Sequence, residues 1–382
     1  GHPARLRRLC ADRVRQVASR QGSAGMSPDL LDQAARRLQA RLTGLDFLDD
    51  LMLSGEYTDI KINSDGQVWT RSKGRIDFEA QPDLRPDLVQ VQRMVTALLA
   101  PTSRACTEAM PSVDAKLPRG GPYGGARIKV LNPTVCSGPY HHIDLRLFEP
   151  RPVHPDQIVQ WHMCPAPVLQ RLLQAVREDR RLLVAGGTGT GKTTLLSALL
   201  RALPPTATLV KIEDPEEIWV DLPNVETLER RERPDGSDVA PYETDTAVTD
   251  AMRMSPSHLV VGEVRTGQAA RALLRALMSD HSGGTTFHAS SPYEVLERLS
   301  VLMEDDCGSS PQAVRKMLLW SLDLIVQLGI REGVRRVVGV YELRHPLDPQ
   351  RRGRADVQPL WVSGEDPEAI PDFRRPVRGT AF

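Results

Sequence analysis

The sequence predicts an α/β protein of two domains, in which a parallel-rich sheet domain follows a smaller α+β domain. Three observations point there. The nine residues Gly186-Gly187-Thr188-Gly189-Thr190-Gly191-Lys192-Thr193-Thr194 fill the phosphate-binding template G-x-x-x-x-G-K-[ST]. Beyond them, short apolar runs alternate with helical stretches, as a parallel sheet covered by helices requires. Before them, strand-like alternation surrounds one amphipathic helical stretch. A chain of 382 residues, 40% hydrophobic and 26% charged, has room for two cores.

Residues 1–50 are Arg- and Ala-rich with helical spacing; Leu31, Ala34, Ala35, Leu38, Leu42 and Leu45 can share one face. The start Gly1-His2, without Met, reads as the scar of a cleaved tag. Ile60–Asn63, the turn Ser64-Asp65-Gly66 and Gln67–Arg71 read as a hairpin. Leu88–Leu99 reads as an amphipathic helix, and Ala126–Val130 and His142–Leu147 as strands, which gives an α/β domain over 51–148. Three prolines in Glu149–Pro155 predict an extended linker over 149–163. Helical spacing at Val168, Leu169, Leu172, Leu173 and Val176 leads to the strand Arg181–Ala185, the loop and a helix over Leu195–Leu200. Strands follow at Ala207–Ile212, Leu259–Gly262, Thr285–His288, Asp323–Gln327 and Val337–Leu343, with helices over 291–304 and 310–322. The second domain is expected over 164–345, and the Pro/Arg-rich 346–382 reads as a frayed tail.

The loop sets the chemistry. Its glycines let backbone N–H groups wrap a phosphate, since a Cβ would block the turn. Gly186, Gly187, Thr188, Gly189, Thr190, Gly191 and Thr194 form the cradle, Lys192 reaches the β- and γ-phosphates, and the Thr193 hydroxyl ligates Mg²⁺. Hydrolysis needs an acid and cations beside the γ-phosphate. Glu263 ends the apolar strand Leu259–Val261, at the edge where doubly wound sheets hold ligands, and suits a Mg²⁺-bound or attacking water. Ile212-Glu213-Asp214-Pro215-Glu216-Glu217 places four carboxylates within five residues, a repulsion that a cation relieves; a solvated acidic turn is the alternative. His281 and His288 flank Gly283-Gly284 and suit anion contact, against a purely structural role.

Composition narrows the classes. Formal net charge is +0 and aromatic residues make up 4%, which disfavours a basic, base-stacking channel for nucleic acid. Cys10, Cys106, Cys136, Cys164 and Cys307 form no C-x-x-C pair, so neither a zinc site nor a disulfide framework is expected, in keeping with a reducing cytoplasm. No run of 18 apolar residues suggests a membrane span, so any membrane role would come through partners.

Four boxes in this order resemble the ATPases of type II and type IV secretion and of type IV pilus assembly. They are Gly186–Thr194, the acidic Ile212–Glu217, Arg253-Met254-Ser255-Pro256 leading to Val261-Gly262-Glu263-Val264-Arg265, and His281–Ser290. Asp59–Asn63 with Val68-Trp69, and Gly125–Ile128 with Asp144–Phe148, resemble strings in the family's N-terminal domain. The layout is most similar to the conjugation-type and tight-adherence-pilus branches. The resemblance implies a RecA-like P-loop NTPase domain behind an N-terminal α+β, PAS-like domain, with ATP and Mg²⁺ between the two and the linker as hinge. It implies that Glu217, with Glu213 second, orients the attacking water and that Glu263 acts on the Mg²⁺ shell. Arg127 and Arg146 would reach the phosphates, joined by Arg230. It further implies a homo-oligomer, a hexameric ring, at the cytoplasmic face of the membrane. There the ring would work against an inner-membrane platform protein, with no stable nucleic-acid partner. Asp280 stands where the family usually has Gly, and Gln268 where many members have Glu. A DNA-translocating ring motor and a non-hydrolysing nucleotide-gated scaffold are the rival readings.

Overall fold

The computed structural model describes residues 2–20, 27, 30–32, 34–35, 45–102, 104–119, 121, 123–149, 152–231, 233, 238–279, 281–344, 356–371 and 373. The chain divides into two compact units, Gly1–Pro150 and Arg151–Phe382.

The first unit contains helices α1 (His2–Arg20), α2 (Phe47–Leu53) and α3 (Leu88–Leu99) and strands β1 (Tyr57–Ile62), β2 (Val68–Ser72), β3 (Glu79–Ala80), β4 (Ser112–Leu117), β5 (Ala126–Leu131) and β6 (His142–Leu147). Residues 36–44, which carry part of the expected N-terminal helical stripe, lie outside the described residues. The strands form one antiparallel sheet in the order β3-β2-β1-β6-β5-β4. Period-2 alternation gives the sheet two unlike faces. Ile60, Ile62, Val68, Ile128, Val130, Ile143 and Leu145 share a core with Val91, Met94, Val95, Leu98 and Leu99 of α3. Each such burial is worth on the order of 1.5–3 kcal/mol. The α3 helix starts where Asp87 and Gln90 form a reciprocal capping box. On the other face, strand register puts Arg71, Asp59, Arg146, Arg127 and Lys116 in one row across the sheet.

The second unit opens with α4 (Pro155–Gln160) and α5 (Ala166–Arg177), then β7 (Leu182–Ala185), α6 (Lys192–Leu200), β8 (Leu209–Glu213) and β9 (Val225–Glu229). It continues with α7 (Thr244–Ala251), β10 (His258–Val261), α8 (Gly267–Met278), β11 (Ser282–Phe287), α9 (Pro292–Cys307), α10 (Pro311–Ser321), β12 (Leu324–Arg331), β13 (Val334–Leu343) and β14 (Val357–Val362). The sheet order is β14-β13-β12-β7-β11-β10-β8-β9, parallel from β12 to β9, with β13 and β14 antiparallel at one side. Both faces are covered, which explains why the strands read as continuous apolar runs. Leu182 and Val184 enter one core with α5 and α6, while Leu183 and Ala185 enter the other with α7 to α10.

Two stretches differ from expectation. The predicted linker holds α4, because His154 caps it and Pro155 pre-sets its first turn, and Ile158 and Met163 bury in the second unit's core. The expected frayed tail contributes β14, paired to β13, and buries Trp361 and Ile370 in the same core. Residues 345–355 and 374–382 lie outside the described residues.

Candidate nucleotide site

The phosphate loop leaves β7 in the middle of the parallel strands, with Gly186 N–H donating to the Phe287 carbonyl at 3.2 Å. Gly191 stands at φ +90° before α6, a conformation costly to side-chain-bearing residues. A Cβ on it would meet Met163 Cε at 2.6 Å, and a Cβ on Gly186 would meet Thr190 Oγ1 at 2.5 Å. The loop is therefore a close-packed backbone cradle opening onto a helix N-terminus, the arrangement that favours an anion. Thr190 Oγ1 braces it by donating to the Gly187 carbonyl at 2.9 Å. Thr193 and Thr194 lie half-buried in the first turn of α6, while Gly187, Thr188 and Gly189 are exposed.

Lys192 Nζ turns back into the cradle, donating to the carbonyls of Gly186 at 3.1 Å and Gly187 at 3.0 Å. It also lies 3.3 Å from His288 Nε2, which lies 3.3 Å from Glu263 Oε1. Glu263 Oε2 accepts from Arg265 Nε at 2.6 Å. Burial lowers the Lys192 pKa; the Glu263 and Glu217 carboxylates act against that shift, and Arg265 adds to it. Burial also lowers His288, helped by Lys192 and opposed by Glu263. The result is an alternating row of cation, imidazole and carboxylate along the carboxyl ends of β7, β10 and β11, where a parallel sheet receives ligands.

The other expected residues fall in distinct places. Glu213 is only 4% exposed and spends both oxygens on structure: Oε1 accepts from the N–H groups of Glu217 (2.9 Å) and Ile218 (2.8 Å), and Oε2 meets Lys211 Nζ at 3.2 Å. Burial raises its pKa, against the pull of Lys211 and those N–H groups. Arg230 Nε bonds Glu243 Oε2 at 2.7 Å and its Nη1 bonds Asp214 Oδ2 at 3.3 Å. His281 precedes β11 at its amino end, with Nδ1 3.1 Å from the Pro256 carbonyl, so the six residues of β11 separate it from His288. The expected pairing of the two histidines on one anion is not what the fold makes. They bracket a strand whose ends face opposite edges of the sheet. Arg127 and Arg146 are register partners on β5 and β6 of the first unit, where Arg146 Nε meets Asp59 Oδ1 at 3.1 Å. Asp280 lies outside the described residues, and Gln268 donates to the Asp306 carbonyl at 3.3 Å.

The sequence profile of the Type II/IV secretion system protein family matches residues 57–333, spanning the loop, the acidic turn, the Glu263 strand and His288. The chain belongs to that family. Among its relatives in the Type II/IV secretion family, a protein of Mycobacterium tuberculosis named for conjugal transfer is 29% identical over 355 residues, covering 89% of this chain and 96% of its own. The type IV secretion system protein VirB11 of Bartonella quintana is 33% identical over 174 residues, 44% of this chain and 48% of its own. Solved structures agree on the fold. The ATPase DotB of Yersinia pseudotuberculosis has a TM-score of 0.57 at 18% identity, over 82% of this chain and 81% of its own. The pilus retraction motor PilT with bound ADP has a TM-score of 0.55 at 19% identity, over 80% and 84%. This family chain thus has the RecA-like domain and the N-terminal sheet domain that its boxes imply.

Lys211, Arg265 and Thr286 lie inside the strand and boxes named above, which assign them no role. Thr286 Oγ1 ties β11 to the residue before Glu263 by donating to the Gly262 carbonyl at 2.7 Å. Lys211 had a visible signal: it is a lone cation inside the apolar run Leu209–Ile212. Among the described residues, no helix is long and apolar enough to cross a membrane.

Proposed function

We propose that this chain is an ATP-hydrolysing motor of a conjugation-type secretion or pilus-assembly system. The observation that carries the reading is the Lys192–His288–Glu263 row beside a glycine cradle, with Glu217 within electrostatic reach of Lys192. The cradle fits phosphate, since Gly186 and Gly191 leave room only for backbone and Lys192 already bonds carbonyls inside it. Thr193 and Glu263 offer hard oxygen donors of the kind Mg²⁺ takes together with nucleotide phosphates; bound there, the ion would neutralise charge on the transferred phosphoryl group. Glu217 is assigned to the attacking water and Glu263 to the Mg²⁺ shell, with His288 sensing the γ-phosphate. Glu213 is a weaker claimant to the water because its oxygens are engaged. The basic pair Arg127 and Arg146 suits phosphate oxygens, and Arg230 supports the acidic turn through Asp214.

The family and the names of its members support a secretion or pilus motor; within that reading the chain works as a homo-oligomer, a hexamer, on the cytoplasmic face of the membrane against a platform protein. The neutral charge balance favours a protein substrate over tracking along nucleic acid. The test is phosphate release from Mg²⁺–ATP by the purified chain, with Lys192→Ala as the comparison.

A further inference from the structure

Within the parallel sheet, one buried charge takes no part in the chemistry assigned above. Lys211 lies on β8 at 2% exposure, on the face it shares with the apolar Leu209, while Val210 and Ile212 enter the core on the other side of the sheet. An ammonium has three N–H donors and is held in such surroundings only where each meets an acceptor. Lys211 Nζ meets three: Glu213 Oε2 at 3.2 Å, Glu216 Oε1 at 2.9 Å and the Ile218 carbonyl. Glu213 passes the constraint on, because its other oxygen accepts from the backbone N–H groups of Glu217 and Ile218. Thr227 Oγ1 on β9 holds Glu216 Oε1 from the far side at 3.2 Å. Of the contacts that fasten the turn 214–218, two N–H groups, one carbonyl and one side chain trace to that one cation, while Glu229 takes the Glu216 N–H and Arg230 the Asp214 carboxylate.

We infer that Lys211 is a positioning residue for Glu217: through Glu213 it fixes the backbone of the turn that carries the Glu217 carboxylate. The same clamp reassigns Glu213 from the water to the support of its neighbour. A general base or water-orienting group displaced by about 1 Å loses up to 100-fold in rate while leaving binding intact. The clamp therefore acts on turnover and not on nucleotide affinity, which belongs to the cradle around Lys192.

The inference rests on the ATP-hydrolysis reading, and the experiment separates the two. Steady-state ATP turnover and ADP affinity are measured for the full chain, Lys192→Ala, Lys211→Met, Glu217→Gln and Lys211→Met/Glu217→Gln. Lys211→Met should lower kcat on the order of 10- to 100-fold with ADP affinity and KM within about twofold. The double variant should fall no further than Glu217→Gln alone, since both changes remove one function. Lys211→Met leaves Glu213 buried without its cation. If it does not fold, Lys211→Met/Glu213→Leu removes both charges from the core and should fold yet show the same kcat loss. Wild-type kcat in a folded Lys211 variant, a loss confined to KM, or losses that multiply with Glu217→Gln would overturn the inference. Lys192→Ala turning over like wild type would instead bring down the hydrolysis reading beneath it.

Discussion

At Gly191, two independent constraints meet: φ +90°, and Met163 Cε at 2.6 Å from where a Cβ would sit. A left-handed conformation costs a side-chain-bearing residue roughly 1–2 kcal/mol, and the clash with a buried methionine adds to it. Gly191→Ala is expected to lower stability by about 2 kcal/mol and to weaken ADP binding at least about tenfold, read by denaturant unfolding and calorimetry. A second prediction at this scale concerns His141, which is buried, its Nε2 without a hydrogen-bond partner among the described residues. Burial pushes its pKa below the ordinary value. Between that lowered value and about 6.5, the unfolded chain binds a proton that the folded chain refuses. Stability from this group is therefore lost as pH falls below about 6.5. His141→Phe should show a Tm advantage over wild type that widens from pH 7.5 to pH 5.5; a gap independent of pH would contradict the assignment.

Secondary structure was most legible where periodicity was strong. Helix Leu88–Leu99 and the strands around Ile60, Ile128 and Leu145 lie where the pattern of buried positions puts them. Strand β9 and helices α7 and α8 were missed. The β9 strand, Val-Glu-Thr-Leu-Glu, is at the sheet edge and only half buried, so its apolar content is low. The α8 helix buries Ala269, Ala270, Leu273, Leu274 and Leu277 at helical spacing, so its signal stood in the sequence and nothing physical hid it. The C-terminal strand β14 was hidden by the surrounding prolines and arginines, although Trp361 is buried against the core. At element scale, then, Trp361→Ala should cost about 3–5 kcal/mol, measured by chemical denaturation. A cost within about 0.5 kcal/mol, as for a surface change, would mean that β14 does not close the sheet.

Across the molecule, the boxes give the site's members but not their arrangement. The loop, Glu263 and His288 converge because β7, β10 and β11 run parallel and end at one edge of the sheet. His281 shares a box with His288 in sequence, yet the strand between them carries it to the opposite edge. Glu213 and Glu217 share the acidic box, where only the family resemblance puts Glu217 first, and the fold shows that Lys211 on β8 engages Glu213. Those distinctions depend on which side of a strand faces a core, and on contacts between residues up to about a hundred positions apart, such as Lys192 and His288. Composition does not encode them.

Lys192 is where the cradle, the histidine and the carboxylates meet, so it is the direct handle on the whole assembly. The decisive measurement is the steady-state rate of phosphate release from Mg²⁺–ATP by the wild-type and Lys192→Ala chains, each verified as folded by thermal melting. The rate should fall at least about 100-fold in the variant, as when a charge-stabilising donor is removed from a reacting centre. Equal rates in the two chains would contradict the proposed chemistry.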